Sequence, residues 1–278
     1  MSANESNRRR AFGEVVSVDA WHRPFSNQNP TADLHVDVTF STGRVGGEKS
    51  SKVSFRLSLR RAEIVLVLPK TEPIDIKKSS IARDHRGIEG KKTLLKERKH
   101  SAGASGSVGV AVTTSTVSAN ASLEARGDSS ISASEKVEIE EKIQLMVIHQ
   151  SKTHDGNYRW GITPESAQTL NGKPWEAEAF PRGTLIDTRT DKNKGIPPTV
   201  SVEVRCLRED MIISDIMIKD EKKWDLFKKG GSQKAKLAAA GSYIRDKLIL
   251  EGLEFESVDE RFGAITLTSV VAEPESET

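Results

Sequence analysis

Residues 101–147 alternate between apolar and polar side chains at every second position, and this pattern constrains the fold more than any other. In the first part the apolar residues fall on even positions and include Val108, Val110 and Val112. After residue 113 they shift to odd positions, beginning with Val117. A period of two is typical of a β-strand with two different faces, and the change of parity suggests a bulge or crossing near 113–116.

A second alternating run follows a turn-like segment at 124–129. It carries Ile131, Val137 and Ile139 on odd positions, and glutamates at 135 and 141 interrupt the row. We therefore predict a long, alternating β-hairpin insertion over 101–147. Ser134 could instead cap a helix over 135–146, so strand and helix both remain open for 134–147.

Strand patterns dominate the remainder of the chain. Alternation at 34–40 and 53–59, around a loop rich in turn-forming residues at 41–47, predicts a second β-hairpin. The continuous apolar run at 64–68 predicts a strand that is buried on both faces. Further strands are predicted at 158–162, 184–188, 200–206, 211–218 and 263–271.

One helix is predicted, over 232–251 near the end of the chain. Its apolar stripe consists of Leu237, Gly241, Ile244 and Leu248. Gly252 stands where a terminating glycine belongs. The predicted fold class is α+β, predominantly antiparallel β with one long C-terminal helix.

Composition shifts divide the chain into six predicted regions. They are a flexible basic tail (1–10), an N-terminal β unit (11–75), a basic connector (76–100), the alternating hairpin rich in Ser, Gly, Ala and Val (101–150), a C-terminal unit of sheet and helix (155–271), and an acidic tail (272–278). Strands of the two β units could share one elongated sheet.

The net charge of the whole chain is only +2, but its positive charge is concentrated in residues 76–100. This basic patch predicts contacts with anions or with the surface of an anionic membrane. The residues that we expect to make them are Lys77, Lys78, Arg83, Arg86, Lys91, Lys92, Lys96, Arg98 and Lys99. Nucleic acid is possible but not favoured, because the patch lacks aromatic residues that would stack on bases.

The single cysteine, Cys206, excludes an intrachain disulfide and fits a reducing compartment. Its place in an alternating run predicts that it lies on an apolar strand face. The longest apolar run, 64–69, falls far short of a membrane helix, and no leader pattern opens the sequence. We expect a cytoplasmic protein with no cofactor and no metal.

Catalytic signatures are weak throughout the sequence. The strongest is Asp75 followed by Lys77, with Glu63 upstream, a spacing used by one class of metal-dependent nuclease. An acid-x-Lys triplet is frequent by chance in a chain with 29% charged residues. The interpretation therefore leans away from an enzyme and keeps a nuclease around Asp75 and Lys77 as an alternative.

The composition and alternation of 101–147 resemble the Ser/Thr-rich insertion hairpins of aerolysin-like β-pore-forming proteins. Beside it, the basic stretch is similar to the parts of gasdermin-like pores that would dock on anionic lipid. This resemblance implies insertion into a membrane after self-association. The function expected first is nevertheless non-enzymatic oligomerisation or partner binding through the hairpin, and pore formation is the alternative.

Overall fold

The computed structural model of the chain describes residues 7–49, 51–83, 89–99, 134–144, 146–219 and 231–275, with the backbone alone for 89–99, 134–144 and 231–232. Its contacts divide the chain into two compact units. Met1–Ile88 and Leu145–Thr278 form the first unit, and Glu89–Gln144 form the second. The second unit is thus an insertion in the sequence of the first.

A six-stranded antiparallel sheet is the largest sheet of the first unit. In spatial order its strands are β1 (Arg8–Arg10), β15 (Ala264–Val271), β13 (Ser201–Leu207), β6 (Ala62–Val67), β11 (Tyr158–Pro164) and β10 (Met146–Lys152). Ile64, Val65 and Leu66 of the central strand β6 are all buried. This confirms burial on both faces for 64–66 of the predicted run 64–68, whereas Val67 and Leu68 are half-buried.

The described residues of this unit also form two smaller sheets. The five-stranded sheet consists, in order, of β16 (Glu273–Pro274), β2 (Val16–His22), β3 (Thr31–Phe40), β12 (Gly183–Asp187) and β7 (Ile74–Ile76), with only β16 parallel to its neighbour. The three-stranded sheet consists of β14 (Met211–Ile218), β5 (Val53–Leu59) and β4 (Gly43–Gly46). Short 3-10 turns lie at Lys78–Ser80 and Arg208–Asp210.

The predicted hairpin between 34–40 and 53–59 is wrong, because the two strands belong to different sheets. β3 pairs with β2 and β12, whereas β5 pairs with β4 and β14. The predicted loop itself contains β4, which supplies a nearer partner for β5. Gly46 makes this tight return possible, since its φ of 80° is left-handed and a Cβ there would lie 2.2 Å from the carbonyl oxygen of Val53.

The predicted helix is present as α1 (Gly231–Leu250), which packs on β5 and β14. Gly241, Ile244 and Leu248 are buried as predicted, but Leu237 is 37% exposed and Ala240 is buried in the stripe instead. Gly252 follows the helix with a φ of 62°, which confirms its role as the terminating glycine.

One hydrophobic core joins the three sheets and the helix. It includes Leu34 of the five-stranded sheet, Leu57 of the three-stranded sheet, Trp160 of the six-stranded sheet and Ile244 of α1, all essentially inaccessible to solvent. Cys206 is also buried there, as predicted, and burial raises the pKa of its thiol. These elements confirm the predicted α+β class, predominantly antiparallel β with a single helix among the described residues.

His22, the last residue of β2, is a buried titratable group in this core. Its ring packs on Phe25 with centroids 4.8 Å apart, and its Nδ1 lies 2.8 Å from the carbonyl oxygen of Arg23. Burial lowers the pKa of His22 below its ordinary 6.5, and the hydrogen bond to the backbone of Arg23 opposes that shift in part. The folded protein therefore favours the neutral ring.

We predict that acidification from pH 7.5 to pH 5 destabilises the protein through His22. In the unfolded chain the ring takes up a proton near pH 6.5, so the free energy of unfolding falls by up to about 2 kcal/mol as the pH drops and is constant above that range. Urea unfolding at each pH measures the effect. His22→Gln should flatten this slope while the exposed-site control His154→Gln keeps it; an equal slope in both variants would contradict the prediction.

Candidate functional site

The second unit consists of two antiparallel strands, β8 (Glu89–Lys99) and β9 (Ser134–Gln144). Glu89 stands opposite Gln144 at one end and Lys99 opposite Ser134 at the other, with an unbroken register between them. In every opposed pair one residue number is even and the other is odd. The strand assignment of β9 resolves the helix alternative for 134–144 in favour of β-structure.

This register divides the strand pair into two different faces, because opposed residues of an antiparallel ladder share a face and successive residues alternate. Leu94 stands opposite Ile139 on the face that also carries Val137 and Ile143. We call this the apolar-rich face. Polar residues occupy the other face, apart from Leu95, and we call it the polar face.

The two strands carry opposite charge. β8 holds five basic and two acidic residues, a net charge of +3, whereas β9 holds four acidic and two basic residues, a net charge of −2. Three opposed pairs combine unlike charges, namely Lys92 with Glu141, Glu97 with Lys136 and Arg98 with Glu135. Each such pair stabilises an antiparallel ladder by about 0.2–1 kcal/mol.

Two of the residues predicted for the hairpin, Val137 and Ile139, lie in β9 on the apolar-rich face. The other five lie outside the described residues; they are Val108, Val110, Val112, Val117 and Ile131. The predicted bulge near 113–116 and turn at 124–129 also lie outside them. The segment predicted as a basic connector contains all of β8.

The residues predicted to contact anions fall into two groups. Lys77, Lys78 and Arg83 are exposed in the first unit, where the backbone amide of Lys77 donates to the carbonyl oxygen of Thr184 at 2.9 Å. Lys91, Lys92, Lys96, Arg98 and Lys99 belong to β8 of the second unit. Arg86 lies outside the described residues. The register thus brings the second group together along one strand.

A buried arginine escaped prediction. Arg182 is fully buried, and its guanidinium carbon lies 4.1 Å from the ring centroid of Trp175 and 6.0 Å from that of Trp160. Its Nε and Nη2 donate to the carbonyl oxygen of Phe180 at 3.1 and 2.9 Å. Burial lowers the pKa of Arg182 to about 10. The sequence carries no motif that signals this contact, although Trp175 precedes Arg182 by only seven residues.

The Arg182 cluster also fastens the part of the first unit that precedes β8 in sequence. The backbone amide of Ala82 donates to the carbonyl oxygen of Arg182 at 3.2 Å, and Trp160 Nε1 donates to the carbonyl oxygen of Ala82 at 2.7 Å. Ile81 is buried beside it, and so is Met146, which opens β10 after the second unit in sequence. Buried residues of the first unit therefore lie on both sides of the insertion in sequence, just before and just after the second unit.

The nuclease alternative finds no assembled site among the described residues. Glu63 lies in β6 and pairs with Arg159 at 2.8 Å, whereas Asp75 lies in β7 of another sheet and accepts a hydrogen bond from the amide of Ile76 at 2.7 Å. No group of three or more His, Cys, Asp or Glu side chains that could hold a metal occurs in the described part of the chain.

A shallow groove of about 370 Å³ lies between α1 and the loop that carries Asp259 and Arg261. Its acidic groups are occupied by ion pairs, since Glu209 accepts from Arg261 at 2.7 Å and from Arg61 at 2.9 Å. The hydrogen bond from Arg261 lowers the pKa of Glu209. A carboxylate held in its charged form by two arginines is unsuited to act as a general acid or base near neutral pH.

Of the helices in the described residues, none combines the length and the apolar character that crossing a membrane requires.

Comparisons with known proteins do not place the chain in a family. No protein-family model matches it, and no curated protein matches it. A solved structure of the Clostridium perfringens NetB toxin in the membrane-inserted form is similar at a TM-score of 0.26 and 11% sequence identity, over 68% of this chain and 83% of the toxin chain. Likeness at that level shows neither a shared fold nor a shared function.

Proposed function

We propose that this protein is a non-enzymatic, membrane-inserting β-pore former whose active element is the hairpin of β8, residues 100–133 and β9. The observation that carries the proposal is the β8–β9 register, considered together with the sequence between the two strands. An amphipathic hairpin with one apolar face is the element that a β-pore needs from each copy.

Continued beyond Lys99 and Ser134, this register would bring residue 101 opposite 132, residue 110 opposite 123, and residue 116 next to 117 at the tip. Even positions before the tip and odd positions after it would then share the apolar-rich face. All seven residues predicted for the hairpin meet that condition: Val108, Val110, Val112, Val117, Ile131, Val137 and Ile139. A single register would thus collect them on one side.

The residues assigned to the other face support the same proposal. Glu124, Arg126 and Asp128 would fall on the polar face, together with most of the serines, whereas His100, next to β8, would fall on the apolar-rich face. A membrane-spanning strand pair requires an uncharged side toward the lipid and places its charged residues on the side toward water.

The register also gives the change of parity after residue 113 a second explanation. When opposed residues differ in parity, the apolar positions must change from even to odd wherever a hairpin turns. A turn at 116–117 would therefore produce the pattern without a bulge, and it would replace the turn predicted at 124–129.

Charge sets the expected limits of the membrane-spanning part. The apolar-rich face of β8 and β9 carries five charged residues, Lys92, Lys96, Arg98, Glu135 and Glu141, so these strands belong outside the hydrocarbon region. Between them, 100–116 and 117–133 each exceed the about 9–11 residues that a spanning strand needs.

Exposed cations support docking on an anionic surface. Lys77, Lys78 and Arg83 are exposed in the first unit, and lysines near a membrane contribute about 1 kcal/mol each toward binding anionic lipid. A protein that we expect in the cytoplasm meets a leaflet that carries such lipid. We therefore propose the anionic leaflet as the target surface.

The first prediction from this proposal is that the purified protein releases dye from phosphatidylserine-containing vesicles and not from neutral ones at physiological salt. Deleting residues 104–132 would leave a short connection between β8 and β9 and should abolish release while the circular dichroism of the first unit is unchanged. Leakage that survives the deletion would contradict the proposal. If no vesicle leaks and the protein stays in solution, self-assembly or partner binding without a membrane is favoured instead.

A second prediction concerns two adjacent positions that the register assigns to opposite faces. Val110→Lys should abolish leakage, since a lysine on the lipid face costs about 2–4 kcal/mol per copy near the bilayer centre. Ala111→Lys, the matched control on the polar face, should retain most of the activity. Equal loss in both variants, measured as the initial rate of dye release at equal bound protein, would refute the assignment of faces.

A further inference from the structure

The groove between α1 and the loop that carries Asp259 and Arg261 is lined in part by apolar side chains. They are Leu237 and Ala238 of α1 and Val258 of the loop. Leu237 belongs to the predicted apolar stripe of the helix, and the fold leaves it 37% exposed at this place. Part of the apolar face of the helix is thus left open to a ligand.

Gly241, one helical turn after Leu237, gives the groove its room. It lies in the interior of α1, where glycine is among the least favourable residues for stability. Packing does not require a glycine here, because a Cβ at this position would meet no atom of another element closer than Asp259 Oδ1, at 4.0 Å. The helix therefore keeps a residue that costs stability and leaves the groove open.

The charged side chains that line the groove include one cation whose charge is not compensated. Both lining carboxylates are already paired, since Glu209 accepts from two arginines and Asp259 accepts from Arg245. Arg208 is half-buried and donates through Nε to the carbonyl oxygen of Val258 at 2.9 Å, but it forms no ion pair with any residue that the structure describes. An anionic group in the groove would supply the missing partner.

Hydrogen bonds hold the loop beside the helix, so the groove is formed before a ligand arrives. The backbone amide of Arg208 donates to the carbonyl oxygen of Gly263 at 3.0 Å, and the amide of Glu209 donates to that of Arg261 at 2.9 Å. Within the loop, the hydroxyl oxygen of Ser257 accepts from two backbone amides at 3.2 and 3.1 Å. A ligand that enters a preformed site spends less of its binding free energy on ordering the protein.

We propose that this groove binds a small anionic molecule with an apolar body, of the chemical class of a medium-chain carboxylate. The negative group would lie at Arg208, and the apolar body would lie over Gly241, between Leu237 and Val258. The volume of about 370 Å³ is at the lower end of the range for small-molecule pockets and suits a ligand of this size. The site belongs to the first unit alone and does not depend on membrane insertion.

Octanoate, octanol and octylammonium share one apolar body and differ in charge, so they test the requirement for an anion. Ligand-observed NMR with the full-length protein should show octanoate binding with a dissociation constant of about 1 mM or below, about tenfold more tightly than either of the other two. Arg208→Gln should remove this preference. Equal binding of octanol, or no octanoate binding in the millimolar range, would overturn the proposal. No vesicle enters the experiment, so its failure leaves the leakage prediction untouched.

Gly241→Ala tests the place of the apolar body and keeps the proposal falsifiable if replacing Arg208 unfolds the loop. The added methyl group should raise Tm by about 2–4 °C, because alanine is the better helix former, and yet weaken octanoate binding about threefold or more. Gly241→Leu, which fills the groove, should abolish binding. Ser242→Ala, at an exposed position of the same helix, is the matched control and should bind octanoate as the wild type does. Unchanged octanoate binding in both Gly241 variants would overturn the proposal.

Discussion

The antiparallel register that sets Leu94 opposite Ile139 is the constraint on which the functional account depends. It fixes which residues of β8 and β9 share a face, and it does so through backbone geometry rather than through any single side chain. A slip of one residue would move the valine and isoleucines of β9 to the charged side. The three opposed pairs of unlike charge stabilise the ladder in the observed register, so the polar residues help to keep the apolar ones together.

The two units have different sources of stability. In the first unit, buried strands from three sheets and one helix share a hydrophobic core, and the buried guanidinium of Arg182 packs on Trp175 of that core. A two-stranded ladder on its own is marginal in water and gains stability when further strands join it. This difference fits the proposed function, in which the second unit gains neighbouring strands only when copies assemble. Both ends of the second unit continue in sequence into the packed first unit.

Much of the first unit could be predicted from sequence, because period-two alternation reports strands directly. Strands near 158–162, 184–188, 200–206, 211–218 and 263–271 and the C-terminal helix are confirmed. Which strands pair with each other was harder to predict. The alternating segments 34–40 and 53–59 belong to different sheets, because the tight return at Gly46 allows β4 to pair with β5. Leu237 is exposed although it belongs to the predicted apolar stripe of the helix. A stripe predicts which face of a helix is buried, but not how far along the helix the burial extends.

The candidate site was only half accessible to sequence. Alternation identified Val137 and Ile139, yet the same residues allowed a helix, and the basic patch concealed a strand that pairs with β9. The net charge of the whole chain does not reveal two neighbouring strands of opposite charge, because acidic and basic residues cancel in the sum. Arg182 had no recognisable motif, because the nearby Phe180 and Trp175 follow no regular spacing and Trp160 comes from β11.

Fluorescence of an environment-sensitive probe on single cysteines at positions 110, 111, 122 and 123 tests the central claim most directly. Cys206 is buried and burial raises the pKa of its thiol, so the label goes to the introduced cysteine. On anionic vesicles we predict apolar surroundings at 110 and 123 and aqueous surroundings at 111 and 122. Four aqueous positions, or no difference between adjacent ones, would contradict the insertion of a hairpin in this register.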